Sequence, residues 1–288
     1  MNVRAVIFCA VLILTAGLCM CAHAEVSPWG ELSGDHFVIF FTGDQNFAKD
    51  VLEKAEQYYR QIASDLGYPR YSEFWTWDKR VKIFVYPNKR SFLQATKQPE
   101  WSEGMADYTT KQITSYAWSQ GFVDSLLPHE MAHLIFRDFV GFKGEVPLWL
   151  DEGVAQWSEE AKRRIVKDYA RSQYEQARLL SVQDMMRIDV RRLPESEKKV
   201  HVQLFISKSK DQPDGFIGKN ELVNMYYLQA VSMVDFLVTK YGADSFADFC
   251  RQLRDGKSME EALRFSYPTH IRNLADFQSE WRKYIEEE

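Results

Sequence analysis

Two histidines and a glutamate spaced for metal chemistry lie within Leu127-Pro128-His129-Glu130-Met131-Ala132-His133-Leu134-Ile135-Phe136. No Gly or Pro separates the histidines, so on a helix His129 and His133 project from one face at i and i+4. Two imidazoles so placed can share one zinc ion, each at about 2.0–2.1 Å. Glu130 stands roughly 100° further round the helix, where it can hold a metal's water without ligating.

A catalytic zinc site needs a third protein ligand and an open fourth position. The downstream segment Pro147-Leu148-Trp149-Leu150-Asp151-Glu152-Gly153-Val154-Ala155-Gln156 supplies a candidate in Glu152, with 18 residues between it and His133. That length lets the first helix end near Gly141, the chain reverse, and a second helix begin after Pro147. His129, His133 and Glu152 are then the expected ligands of one Zn²⁺ per chain, with water in the fourth position. Glu130 is then placed to take that water's proton as a general base. Gln156, one turn after Glu152, is placed to orient a ligand histidine through its side-chain oxygen. Asp151, about 100° from Glu152, is expected to play no part in metal binding.

The combination of H-E-x-x-H, the 18-residue gap and Trp149-Leu150-Asp151-Glu152-Gly153-Val154-Ala155 resembles the gluzincin metallopeptidases, and within them the bacterial peptidase-MA-like proteins. The resemblance implies zinc-dependent peptide hydrolysis on a zincin-like fold and spans roughly residues 36–285. Tyr226-Tyr227-Leu228-Gln229-Ala230 is similar to the family's Y-x-Q-[AS] segment. That likeness makes Tyr227 the candidate catalytic oxyanion donor, with Tyr226 the other possibility. In gluzincins the strand corresponding to 112–118 edges the cleft and pairs with extended substrate. The glycine-rich exopeptidase signature is absent from Gly104-Met105-Ala106-Asp107-Tyr108, which leaves an endopeptidase as the expectation. Arg254 to Leu263 and the segment around Trp281 also match the family, whereas Ser266-Tyr267-Pro268-Thr269 departs from it.

The elements that must position these residues are legible in outline. Arg4, the apolar run Ala5 to Leu18 and Ala22-His23-Ala24 form a secretory signal peptide with cleavage expected after Ala24. An uncleaved anchor is the alternative. Lipidation at Cys19 or Cys21 is disfavoured by Leu18 and Met20, where small residues belong. The expected location is the periplasm or the exterior, with no stable membrane insertion after cleavage and no other stretch long and apolar enough to cross a bilayer. Cys250 alone remains in the mature chain and is expected to be buried and unpaired.

With the signal and its Arg4 removed, the chain is one charge more acidic than the −5 of the full 288 residues. This argues against nucleic-acid partners and anionic membranes. A content of 45% hydrophobic and 14% aromatic residues can build a sizeable core.

The expected fold class is α+β, zincin-like. Residues 25–140 form an α/β lobe with a small mixed sheet ending in the zinc helix, and 141–288 a mainly helical lobe. Strands are expected at 36–41 and 80–86, with one or two more between Gly104 and Trp118, the clearest at 112–117, and helices at 47–66, from Asn88 to Ala95, and at 221–241 up to Gly242. Ser158 to Leu180 reads as a solvated helix, and Arg187 to Arg192 as a loop or helix end. Residues 194–220 read as a long surface loop able to overhang the cleft. His36, His201 and His270 lack partners at ligand spacing and read as structural or solvent-facing.

The substrate is expected to be a peptide or protein. Two further readings fit the same residues. One is a non-catalytic zincin scaffold that binds peptide, against which stands the retained Glu130. The other is an enzyme silent until a cell-envelope partner moves the 194–220 segment.

Overall fold

The computed structural model describes residues 29–68, 74–117, 121–142, 146–205 and 214–287. The signal-peptide reading of residues 1–24 lies outside the described residues, as do Trp118 and residues 206–213.

A short strand that the sequence reading did not anticipate, β1 (Gly30–Ser33), turns back antiparallel onto β2 (Phe37–Phe41). Asp44 then caps α1 (Gln45–Asp65), accepting hydrogen bonds from the Asn46 and Phe47 backbone N–H groups. Ala48, Val51, Ala55, Tyr59 and Ile62 form the helix's buried stripe at alternating three- and four-residue steps. The chain returns as β3 (Val81–Tyr86), parallel to β2, with Val81, Ile83 and Val85 buried between more open neighbours. After α2 (Lys89–Thr96), capped by Asn88, come β4 (Gly104–Asp107) and β5 (Gln112–Tyr116).

The strand order is β1-β2-β3-β5-β4, with β3 and β5 parallel and β4 antiparallel to β5. This corrects the reading that placed 112–118 on the cleft edge: β5 lies inside the sheet, and among the described residues β4 is the edge strand on that side. A tight turn makes the difference. Asp107 accepts the N–H groups of Thr109 and Thr110 and folds β4 back along β5.

The second part is mostly helical: α3 (Leu127–Val140), α4 (Leu148–Trp157) and α5 (Glu160–Glu175) follow in turn. The expected solvated helix buries only Val166, Ala170 and Tyr174. A small sheet of β6 (Leu179–Leu180), β7 (Lys199–Phe205) and β8 (Asp214–Gly218) encloses α6 (Val182–Arg187) in sequence. Strands β7 and β8 correct the reading of 194–220 as a loop. Lys199-Val200-His201-Val202 alternates as a half-buried strand, and β8 pairs with it antiparallel.

Helix α7 (Lys219–Tyr241) is buried on most sides, as its composition implied. It is long and apolar enough to cross a membrane, unlike the expectation for every stretch beyond the leader. However, 72% of its apolar window is buried inside the fold, as befits a core helix. Helices α8 (Ala243–Arg254), α9 (Met259–Ser266) and α10 (Leu274–Glu286) complete the chain.

The architecture is α+β, a five-stranded sheet followed by a mainly helical part. One cluster of buried apolar side chains runs from Phe37 in β2 to Ile285 in α10. Cys250 is buried and free. His36 is tied to Glu56 at 2.7 Å, His201 packs on Phe216, and His270 lies against Tyr241.

Candidate metal centre

Helix α3 owes its position to its apolar face: Leu127, Met131, Leu134, Ile135 and Phe136 are buried. It is entered through a wider π-helical turn, Phe122–Leu126, in which Leu127 N–H reaches back to Phe122 O. Pro128 follows at once. Having no N–H and a ring that crowds the carbonyl four residues back, it favours such a break in the α-helical ladder. Gly141 ends the helix at φ +78°, a left-handed conformation that suits glycine. Helix α4 starts after Pro147 and lays Glu152 opposite the two histidines.

His129, His133 and Glu152 place one ligand atom each within 4.8 Å of one another. The closest cross-helix approach is His129 Nε2 to Glu152 Oε2, 4.0 Å. The imidazole rings sit 5.0 Å apart and nearly perpendicular, at 81°.

The other ring nitrogens are held by carboxylates. His129 Nδ1 donates to Glu159 Oε1 at 2.9 Å, and His133 Nδ1 donates to Asp151 Oδ1 at 2.9 Å. An ionised carboxylate can only accept, so each Nδ1 carries a proton, and in the neutral imidazole the lone pair is then on Nε2. That is the tautomer a divalent metal requires.

Two sequence expectations are corrected here. The orienting group is not Gln156, which lines a hollow beside Lys162 and Tyr227. Nor is Asp151 a bystander. Glu152 and Asp151 leave the same turn of α4 in different directions, and Asp151 reaches the Nδ1 side of His133.

Both orienting carboxylates are buried, Asp151 at 2% and Glu159 at 3% exposure. Arg137 donates to Asp151 at 2.5 Å and lies 4.5 Å over the ring of Tyr108, whose edge faces His133. Glu159 also accepts from Ser125 at 2.5 Å and Lys162 at 2.7 Å. Burial pushes each carboxyl up, but the donors around it outweigh this and hold both below the usual carboxylate range. For His133, burial works against the charged form, while the Asp151 hydrogen bond and charge prevail and raise its pKa.

Glu130 differs from these. Its pKa is raised, chiefly by burial, with the two histidines pulling the other way. It lines a cleft of about 400 Å³ shared with His129, Ser125, Glu159 and Lys162.

Of the two candidate tyrosines, Tyr226 is in the core at 1% exposure and its hydroxyl reaches Met185 O at 3.4 Å. Tyr227 is half-buried, and its pKa is raised first by burial and next by the charge of Glu152.

Sequence reasoning missed Tyr108, Arg137 and Glu159. Arg137 had a usable signal, lying one turn beyond His133 on the same face. Glu159 lies seven residues after Glu152, past the end of α4, and Tyr108 sits in a strand turn; neither has a local signature.

No family model matches the chain, and no curated protein matches it.

Proposed function

We propose that the protein is a zinc-dependent metallopeptidase, exported to the periplasm or exterior, that cuts within peptide or protein chains. The observation carrying this reading is the pair of Nε2 lone pairs, fixed by Asp151 and Glu159 and converging with the Glu152 carboxylate. Two nitrogens and a carboxylate oxygen are the donor set of a catalytic zinc site, and a site with three protein ligands leaves a position open. When bound there, zinc would polarise a carbonyl and lower the pKa of water towards 7.

The chain's own residues supply the rest. Glu130, with its raised pKa and its place in the open cleft, accepts a proton from attacking water at a carboxylate oxygen and hands it to the departing amine. Tyr227, half-buried and within the field of Glu152, donates its hydroxyl to the developing oxyanion. The free edge of β4 offers backbone groups to an extended peptide by strand addition. The likeness of the sequence motifs to peptidase-MA-like gluzincins supports the same reading.

The test combines elemental analysis with a peptide-library cleavage screen on the purified mature protein. About one zinc per chain together with peptide cleavage is expected. Protein that takes up no zinc on dialysis would end the proposal. Zinc-loaded protein that binds peptide without cutting would give the scaffold reading its place.

A further inference from the structure

Beside the metal cleft lies a second hollow, of about 380 Å³, between α5 and α7. Helix α5 presents Lys162, Ile165, Val166 and Tyr169 to it, and α7 presents Asn224, Tyr227, Leu228 and Val231. Each set follows the i, i+3, i+4, i+7 spacing of a single helix face, so two stripes meet to form one groove. Its floor is apolar, with Val166 and Val231 each at 2% exposure. Its outer wall carries two large apolar side chains open to water, Ile165 at 61% and Tyr169 at 52% exposure.

The groove adjoins the candidate site. Lys162 lines both it and the cleft that holds His129 and Glu130. Gln156, one turn past Glu152, and Tyr227, which feels the charge of Glu152, also line the groove. The cation there is already matched, since Lys162 is paired with Glu159 at 2.7 Å, and Gln156 and Asn224 are neutral. A charged side chain entering the groove would shed its water and find no free opposite charge, whereas an apolar one would lose nothing. The size falls in the range of pockets that bind ligands.

Building on the peptidase reading above, we propose that the α5–α7 groove is its specificity pocket: it receives a bulky, uncharged, apolar side chain of the substrate next to the scissile bond. The substrate class is thus peptides carrying Leu, Phe or a residue of that kind at one position flanking the cut.

The test is a mass-spectrometric cleavage screen with wild-type protein, Ile165→Glu and Tyr169→Glu, and Phe265→Glu as a control. All three positions are exposed, so the variants are expected to fold. Wild-type protein is expected to favour Leu or Phe over Asp at one flanking position. Either groove variant should cut that preference, read as a ratio of kcat/KM values, by about ten-fold or more, since pocket contacts of this kind discriminate by roughly 10- to 200-fold. The control should leave the ratio unchanged. Cleavage with no apolar preference, or a preference that neither groove variant alters, overturns the pocket and leaves the peptidase reading standing. A library that zinc-loaded wild-type protein leaves uncut overturns both.

Discussion

The two histidines are held at corners of different character. At the His133 corner the imidazole and its carboxylate are both buried, and Asp151 is shared with Arg137, which is stacked on the more open ring of Tyr108. At the His129 corner Glu159 is equally buried, but its partners Ser125 and Lys162 line the cleft, and the Lys162 side chain is 47% exposed. The same carboxylate–imidazole bond is thus set once in the core and once at a wet wall. The first corner fixes the site to the fold, and the second can adjust to what enters the cleft.

The sharpest way to test this division is at the carboxylate that belongs to neither corner. Glu130→Gln is expected to keep its zinc and its melting temperature while turnover falls at least about a hundred-fold, since positioned acid–base groups contribute about 10²–10⁴. Zinc content, melting temperature and cleavage rate should be taken on one preparation. A variant that loses its metal would place Glu130 among the ligands instead.

Tyr227→Phe should lower kcat by roughly ten- to a thousand-fold with KM little changed, as for a lost oxyanion donor. An unaltered kcat would return Tyr227 to a packing role.

The corners themselves separate in the next pair. Asp151→Ala should weaken zinc affinity towards the upper end of the 10- to 100-fold range for such partners. It should also cost about 3 kcal/mol of stability, the low end for breaking a buried ion pair, because Arg137 can turn partly to solvent. Glu159→Ala should weaken zinc by a similar factor but cost only about 1 kcal/mol, since Lys162 and His129 can take up water. Chelator titration and urea unfolding read the two quantities. Equal stability losses would erase the distinction between corners.

Gln156→Ala is expected to leave zinc affinity unchanged, because the carboxylates already hold both imidazoles. A ten-fold loss in chelator titration would reinstate it as an orienting residue.

What the sequence disclosed follows the range of its physics. The convergence of His129, His133 and Glu152 was readable because a helical period and a reversing loop are local constraints, and Gly141 and Pro147 stand where the turn requires them. The strand cores at Phe37 and Val81 and the start of α2 at Asn88 were readable for the same reason. Strand order was not: no residue in Gly104–Asp107 announces that it will cover β5. The hairpin of β7 and β8 was hidden because Pro, Gly, Lys and Ser around it outweighed the short alternation of Lys199-Val200-His201-Val202. The orienting carboxylates were misassigned because position along α4 does not say which imidazole nitrogen a neighbour will reach. Asp151 and Glu159 are distinguished by tertiary packing alone.

Gly153 follows Glu152 and touches α7: a Cβ there would lie 2.6 Å from the Ala230 carbonyl oxygen and 2.7 Å from Val234 Cγ2. Glu152, the proposed third ligand, is therefore seated against a helix that the chain reaches only some seventy residues later. Binding of the proposed metal and docking of α7 would then form a single linked equilibrium, because a chain with α7 undocked has no backing for Glu152. Zinc would then stabilise the α4–α7 junction most of all. Release of the ion on heating would mark the moment those two helices part, even while the five-stranded sheet still holds.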